Sequence, residues 1–108
     1  MPFGVFLTAA AARDLEELYH YITLHAAPGK AEHVLTRIET ALGSLSESPD
    51  RGAHPKELLA LGIRDYREIF FKPYRVIYRV LGKVVHVFLI ADGRRDMQTL
   101  LQRRLLDV

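Results

Sequence analysis

The stretch that decides the fold runs from Tyr74 to Asp96 and reads YRVIYRVLGKVVHVFLIADGRRD. Two runs of β-branched, aromatic and aliphatic residues, 74–81 and 84–91, are separated only by Gly82-Lys83. A two-residue loop that begins with glycine is typical of a type II′ turn between antiparallel strands. The stretch therefore predicts a β-hairpin that leads into a short basic turn.

The two-residue loop also predicts which residues of the hairpin lie opposite each other. The expected pairs are Leu81 with Val84, Arg79 with His86, Ile77 with Phe88, and Arg75 with Ile90. Because side chains alternate between the two faces of a strand, this register sorts them into two sets. One set carries no charge: Tyr74, Val76, Tyr78, Val80, Val85, Val87, Leu89 and Ala91. The other set is Arg75, Ile77, Arg79, Leu81, Val84, His86, Phe88 and Ile90.

Burial energies predict which of these two faces lies on the core. Each large apolar side chain that is buried stabilises the fold by roughly 1.5–3 kcal/mol, whereas an unpaired buried charge costs several. The uncharged face should therefore pack on the core. The face with the arginines and the histidine should be a half-open surface, and it is the first place to look for function.

Composition limits the class of protein. A chain of 108 residues with 49% hydrophobic and 26% charged residues predicts one soluble globular domain, residues 1–108. The absence of cysteine excludes a disulfide framework and thiolate metal sites, and it fits a cytoplasmic location. No segment approaches the length of a membrane span.

Charge is distributed unevenly along the chain. Residues 1–63 carry 5 Lys/Arg against 8 Asp/Glu, a net −3, and residues 64–108 carry 10 against 5, a net +5. The basic half coincides with the hairpin and the tail. This asymmetry indicates either an anionic partner, such as nucleic acid or an acidic polypeptide, or simply a solvated basic surface.

The rest of the chain predicts helices that precede and follow the last three strands in sequence. The expected elements are a strand from Phe3 to Leu7, a helix capped by Thr8, a helix from Lys30 to Ser46, a turn at Glu57 to Leu61, a strand from Ile63 to Phe71, and a helix after Gly93. Proline argues against a strict two-residue loop at Lys72-Pro73, which leaves the register of the preceding strand open. The order β-α-α-β-β-β-α predicts an α+β fold with helices on one face of a sheet whose last three strands form an antiparallel meander.

The motifs of the strands resemble one family of bacterial proteins. Arg-Glu-Ile-Phe, Pro-Tyr-Arg-Val-Ile-Tyr-Arg-Val, Val-Val-His-Val-Phe-Leu-Ile and Asp-Gly-Arg-Arg-Asp-Met resemble the RelE/ParE superfamily of type II toxin–antitoxin (plasmid stabilisation) toxins. The resemblance covers nearly the whole chain. It implies a small cytoplasmic toxin without a cofactor, neutralised by an antitoxin that wraps it with an acidic segment. It also implies operator DNA contact only through the antitoxin, and either a homodimer or a heterotetramer with the antitoxin.

The resemblance implies two alternative activities. ParE-like members bind a macromolecular target, DNA gyrase, whereas RelE-like members are metal-independent endoribonucleases that cut mRNA on the ribosome. Nuclease chemistry needs a base, an acid and cations that stabilise charge on the phosphate. For that case the resemblance assigns Arg75 and Arg95 to the phosphate, and Arg67 and His86 complete the catalytic set. For target or antitoxin binding the expected residues are Arg75, Arg79, Arg94 and Arg95.

Two departures from the RelE pattern favour binding over catalysis. The strand on which RelE carries catalytic lysines has Arg67 and no lysine before Lys72. The position where some RelE members place a tyrosine is Leu101. The sequence therefore favours a ParE-like toxin that acts by binding gyrase.

Structural roles compete with these functional ones. His86 fits a half-buried strand histidine, and Arg75 or Arg79 could pair with Glu68 or Asp96. Asp96 could instead cap the last helix. The other histidines do not form a metal site, because His20 and His25 are five apart where a shared helical face needs three or four.

Overall fold

Four strands and four helices make up the fold in the computed structural model, which describes residues 2–106. In chain order they are β1 (Gly4–Leu7), α1 (Ala9–His25), α2 (Lys30–Glu47), α3 (Lys56–Leu59), β2 (Arg67–Phe71), β3 (Tyr74–Leu81), β4 (Val84–Asp92) and α4 (Met97–Leu101), followed by a π-helical turn (Gln102–Leu106). The sheet order is β1-β4-β3-β2, with β1 parallel to β4 and the other pairs antiparallel. The predicted α+β class and order of elements are confirmed.

Local capping signals in the sequence correspond to real helix ends. The Thr8 hydroxyl accepts a hydrogen bond from the amide of Ala11 at 3.1 Å, and α1 begins at the next residue. The Asp96 carboxylate likewise accepts from the amide of Thr99 at 3.2 Å at the start of α4. The strand predicted from Ile63 is shorter than expected, because β2 begins only at Arg67.

The main hairpin contains a β-bulge that the alternating pattern did not predict. Gly82 has φ of 61°, as the first position of a type II′ turn requires, and Arg79 lies opposite His86 as predicted. Beyond that point Tyr78 lies opposite Val87 but Ile77 lies opposite Leu89, so Phe88 is the extra residue. The predicted pairs Ile77 with Phe88 and Arg75 with Ile90 are therefore wrong, and Arg75 faces Ala91.

The bulge exchanges residues between the faces of the sheet. Ile90 joins the main core, which the sheet forms with α1 and α2. Leu89 and Ala91 move to the opposite face. There they form a second core with Ile77 of β3 and with side chains of α3 and α4: Leu58, Met97 and Leu101. The long helices cover one face as predicted. The opposite face is covered around Ile77, and it is half-open, as predicted, only toward the hairpin turn, where Arg79 and His86 are partly exposed.

The turn between β2 and β3 settles the register that the sequence left open. The loop consists of Lys72-Pro73 alone, contrary to prediction, because the Lys72-Pro73 peptide bond is cis and a cis-proline fits the second central position of a type VI turn. In the resulting register Glu68 lies opposite Ile77 and Phe70 opposite Arg75.

Among the helices of residues 2–106, none has the length and apolar character needed to cross a bilayer.

Candidate functional site

Arg75 lies inside an ion-pair cluster that also contains Glu57 and Glu68. Both guanidinium Nη atoms donate to the carboxylate of Glu57 at 2.8 Å, and Nε donates to Glu68 Oε1 at 2.6 Å. The Arg75 side chain is only 6% exposed. This geometry is the bidentate pairing that a planar guanidinium favours. The Arg75 cluster therefore connects β3 to β2 and α3. Its bond to Glu68 is one of the structural pairings that the sequence offered for Arg75.

The Arg75 cluster shifts the ionisation of its members. Hydrogen bonds from Arg75 hold the pKa of Glu57 below its usual value of 4.5. The carboxylates, with Glu57 contributing most, raise the pKa of Arg75. The cluster is charged at neutral pH, and its two carboxylates outnumber its one cation. It is thus a poor site for an additional anion such as a phosphate group.

The lowered pKa of Glu57 predicts how acid affects stability. The unfolded chain takes up a proton near pH 4.5, before the folded chain does, so this stabilisation is present above pH 4.5 and is lost as the pH falls through the folded pKa. Urea midpoints measured from about pH 6 down to about pH 3 should show the loss. The Glu57→Gln variant should show a shallower decline over that range. An equal decline in both proteins would contradict the assignment.

Gly93 allows the basic turn to lie directly against Arg75. Its amide donates to the carbonyl of Pro73 at 2.7 Å. A Cβ at this position would lie 2.8 Å from Cδ of Arg75 and 3.1 Å from the Pro73 carbonyl. Any side chain would therefore push the turn away from β3. The glycine positions Arg94 and Arg95 at the end of the sheet.

Arg94 and Arg95 differ in how they are held. Arg94 pairs with Asp92 through Nη2 at 2.6 Å and Nε at 3.0 Å, and this bond lowers the pKa of Asp92. The Arg94 side chain is nevertheless 77% exposed. Arg95 is exposed and forms no ion pair with any residue in the range 2–106. Both line a cleft of about 540 Å³ between α1 and the end of β4.

The remaining candidates of the sequence analysis lie elsewhere. Arg79 is partly exposed, 3.4 Å from Asp65, and its guanidinium lies over the Tyr66 ring. His86 lies opposite Arg79 and is half-buried. Both are about four strand residues, roughly 13 Å, from Arg75. Arg67 donates to the Gly52 carbonyl at 2.8 Å.

Strand alternation separates two of the proposed catalytic arginines. Arg67 shares its face of β2 with Ile69, which belongs to the main core. Arg75 shares its face of β3 with Ile77, which belongs to the second core. The structure thus does not bring together the four residues of the nuclease assignment. Within residues 2–106, no three His, Asp or Glu side chains are grouped as a metal would require.

Three residues that hold this region in place, Glu57, Asp14 and Arg104, were not among the predicted site residues. Glu57 provides two of the three bonds to Arg75. Asp14 on α1 accepts from both Nη atoms of Arg104, at 2.8 and 3.0 Å, and from the amide of Ile90 at 3.1 Å. A charged residue on an amphipathic helix gives no local signal of such distant partners, so alternation and spacing could not have identified them.

Solved structures show where else this fold occurs. A chain of the chromosomal ParDE toxin–antitoxin system from P. aeruginosa is 24% identical, with a TM-score of 0.69 over 83% of this chain and 95% of that one. A chain of the RelBE2 toxin–antitoxin complex from Mycobacterium tuberculosis is 24% identical, with a TM-score of 0.60 over 85% and 99%. A mutant of E. coli toxin RelE in the free state is 18% identical, with a TM-score of 0.65 over 98% and 100%. At these identities the likeness shows the fold alone.

The family is shown by a sequence model rather than by these structures. No curated protein sequence gives a significant match. The family model described as the ParE toxin of the type II toxin–antitoxin system parDE matches residues 5–97, which is most of the chain. That range includes all of β1 except Gly4, the other three strands, the Arg75 cluster and the Gly93 turn. The chain therefore belongs to the ParE toxin family of type II toxin–antitoxin systems.

Proposed function

We propose that this ParE-family toxin inhibits growth by binding DNA gyrase, and that a cognate antitoxin neutralises it by covering its exposed arginines. The proposal rests on the hydrogen bonds that the Arg75 guanidinium makes. All three of its nitrogen positions donate to carboxylates, so the arginine that a RelE-like nuclease would use on phosphate is already occupied.

Other features also support binding rather than catalysis. A ribonuclease of this type needs a base, an acid and a cation that converge on one phosphate. Arg67 and Arg75 lie on opposite faces of the sheet, and His86 lies at the far end of the hairpin. Leu101, which replaces the tyrosine of some RelE members, is 1% exposed and belongs to the second core.

The residues proposed to contact target or antitoxin are those that are exposed. Arg79, Arg94 and Arg95 present guanidinium groups to solvent in the described chain. Arg75 helps to position Arg94 and Arg95, since its side chain packs against the Gly93 turn. Three exposed arginines at the end and side of one sheet suit an acidic protein surface.

Two assays on the purified protein test the proposal. We expect the toxin to inhibit supercoiling of relaxed plasmid by gyrase, and the antitoxin to relieve this inhibition. We expect no cleavage of mRNA at the ribosomal A site in a translation extract, because no acid–base pair is assembled. E. coli RelE provides the positive control for the cleavage assay. Ribosome-dependent cleavage by this protein, with gyrase unaffected, would overturn the proposal.

A further inference from the structure

A cleft beside the Gly93 turn is large enough to hold side chains of a binding partner. It measures about 540 Å³ and is bordered by α1, the start of β3 and the end of β4. The lining residues that matter here are Glu17, Leu18, Tyr21, Tyr74, Asp92 and Arg95. It lies on the α1 side of the sheet, since Ile90 of the main core also lines it. It is thus distinct from the Arg75 cluster.

Tyr74 has a largely buried ring and provides a hydrogen-bond donor in this cleft. The residue is only 9% exposed, and its ring stacks on Phe71 with the centroids 6.1 Å apart. Its hydroxyl forms no hydrogen bond within residues 2–106, and no buried side-chain polar atom of those residues lacks a partner, so this oxygen is open to solvent and available to a ligand in the cleft. Burial, together with the charge of Asp92, raises the pKa of Tyr74, so the hydroxyl keeps its proton and can donate to an acceptor on a ligand.

The charges of the cleft are separated between its two ends. At the turn, Asp92 pairs with Arg94, whereas Arg95 has no ion-pair partner among the described residues. At the helix, Asp14 is neutralised by Arg104, and the carboxylate of Glu17 is left over among the described residues. Leu18 and Tyr21 lie between these ends, and Tyr21 is 61% exposed. The cleft therefore complements a segment with an acidic group, an apolar group and a basic group in that order.

We propose that this cleft binds a segment of the cognate antitoxin, with a carboxylate between the Tyr74 hydroxyl and Arg95 and an apolar side chain on Leu18 and Tyr21. A basic residue of the same segment approaches Glu17. The inference rests on the antitoxin partner of the proposed function and not on the gyrase target. It places this segment of the antitoxin on the α1 side of the Gly93 turn, on the face of the sheet opposite Arg75 and Arg79.

Binding measurements with the antitoxin encoded beside the toxin gene test this inference. By calorimetry, Tyr74→Phe should weaken binding about tenfold, because it removes one hydrogen bond to a charged group. Arg95→Glu should weaken it by about a hundredfold or more, because it sets two carboxylates against each other. Replacing the facing antitoxin carboxylate by arginine should restore affinity to Arg95→Glu.

Matched control variants separate the cleft from general effects of charge and packing. Arg64→Glu makes the same charge change at an exposed residue outside the cleft, and Tyr19→Phe removes a hydroxyl that donates to Glu32 on α2. Both should bind the antitoxin within about twofold of the wild type. Circular dichroism of all variants confirms that the fold is retained.

The outcomes distinguish this inference from the proposed function. Unchanged antitoxin affinity of Tyr74→Phe and Arg95→Glu would overturn the cleft assignment, even if the wild type inhibits gyrase. The same holds if the two variants lose gyrase inhibition but keep antitoxin affinity, since the cleft would then be a target surface. Weaker antitoxin binding by both variants supports the cleft, whether or not the wild type inhibits gyrase.

Discussion

Arg75→Ala is expected to lower the free energy of unfolding by about 3–5 kcal/mol, the usual result when one partner of a buried ion pair is removed. The change leaves the carboxylates of Glu57 and Glu68, with side chains 12% and 17% exposed, facing each other without a cation. For a domain of this size the thermal midpoint should fall by roughly 15 °C or more. Differential scanning calorimetry of the purified variant measures both quantities.

Arg79→Ala is the matched control for this prediction. Arg79 lies on the same strand and also pairs with a carboxylate, but its side chain is 36% exposed and that of Asp65 is 54% exposed. Its loss should cost less than about 1 kcal/mol, because exposed ion pairs contribute little. Similar midpoints for the two variants would contradict the buried cluster. The stability should also depend on the unpaired carboxylates. A triple variant with Arg75→Met, Glu57→Gln and Glu68→Gln should therefore be more stable than Arg75→Met alone.

This prediction changes how a loss of toxicity at Arg75 is interpreted. By resemblance alone, Arg75 is a phosphate-contacting or antitoxin-contacting residue. In the structure it joins β3 to β2 and α3. Loss of activity in Arg75→Ala would therefore be explained by lost stability before any role in binding or catalysis is inferred. Variants of Arg94 and Arg95, which are exposed, are better tests of binding. Folded protein must therefore be quantified before any toxicity assay is compared.

Features that depend on neighbouring residues were predictable from the sequence. The Thr8 cap and the Gly82 turn each need only a few consecutive residues, and each has the predicted form. Asp96 caps α4, which was one of the two roles open for it. The order of elements follows from the same local signals. The family motifs are likewise short runs in or next to the strands, and the family match over residues 5–97 confirms the resemblance that they indicated.

The bulge at Phe88 was not predictable by alternation. The run from Val84 to Ala91 is apolar on both faces, apart from His86, because both faces of this part of β4 are covered. A slip of one residue therefore exchanges one apolar side chain for another and leaves no trace in the pattern. The predicted register fails at this point, and the assignment of Leu89, Ile90 and Ala91 to faces fails with it.

The environment of Arg75 was not predictable for a different reason. Its pairing with Glu68 was open as an alternative, but Glu57 is 18 residues away on a short helix whose position depends on the second core. A sequence shows charges without the distances between them. Alternation therefore predicted a half-open face throughout, whereas α3 and α4 cover the part of it around Ile77.

The second large effect is expected at Asp14, which links α1 to the C-terminal turn. Its carboxylate accepts from Arg104 at 2.8 and 3.0 Å and from the Ile90 amide at 3.1 Å. Arg104 in turn donates to the carbonyl of Phe88, the bulge residue, at 2.9 Å. Asp14→Ala should cost about 2–3 kcal/mol, since it leaves a partly buried cation and a backbone amide without their acceptor. Urea unfolding measures this loss.

A double-mutant cycle attributes the loss to this link. Asp14→Ala, Arg104→Ala and the double variant should give a coupling energy of about 1.5 kcal/mol or more, and additivity within about 0.5 kcal/mol would contradict it. Asp92→Ala is the control, because it removes a carboxylate from an arginine that is 77% exposed and should cost less than about 1 kcal/mol. Hydrogen exchange at the Ile90 amide should accelerate in Asp14→Ala but not in Asp92→Ala. Asp14 also borders the proposed antitoxin cleft, but it has no proposed contact with the antitoxin. Asp14→Ala should therefore weaken antitoxin binding only through the loosened end of β4.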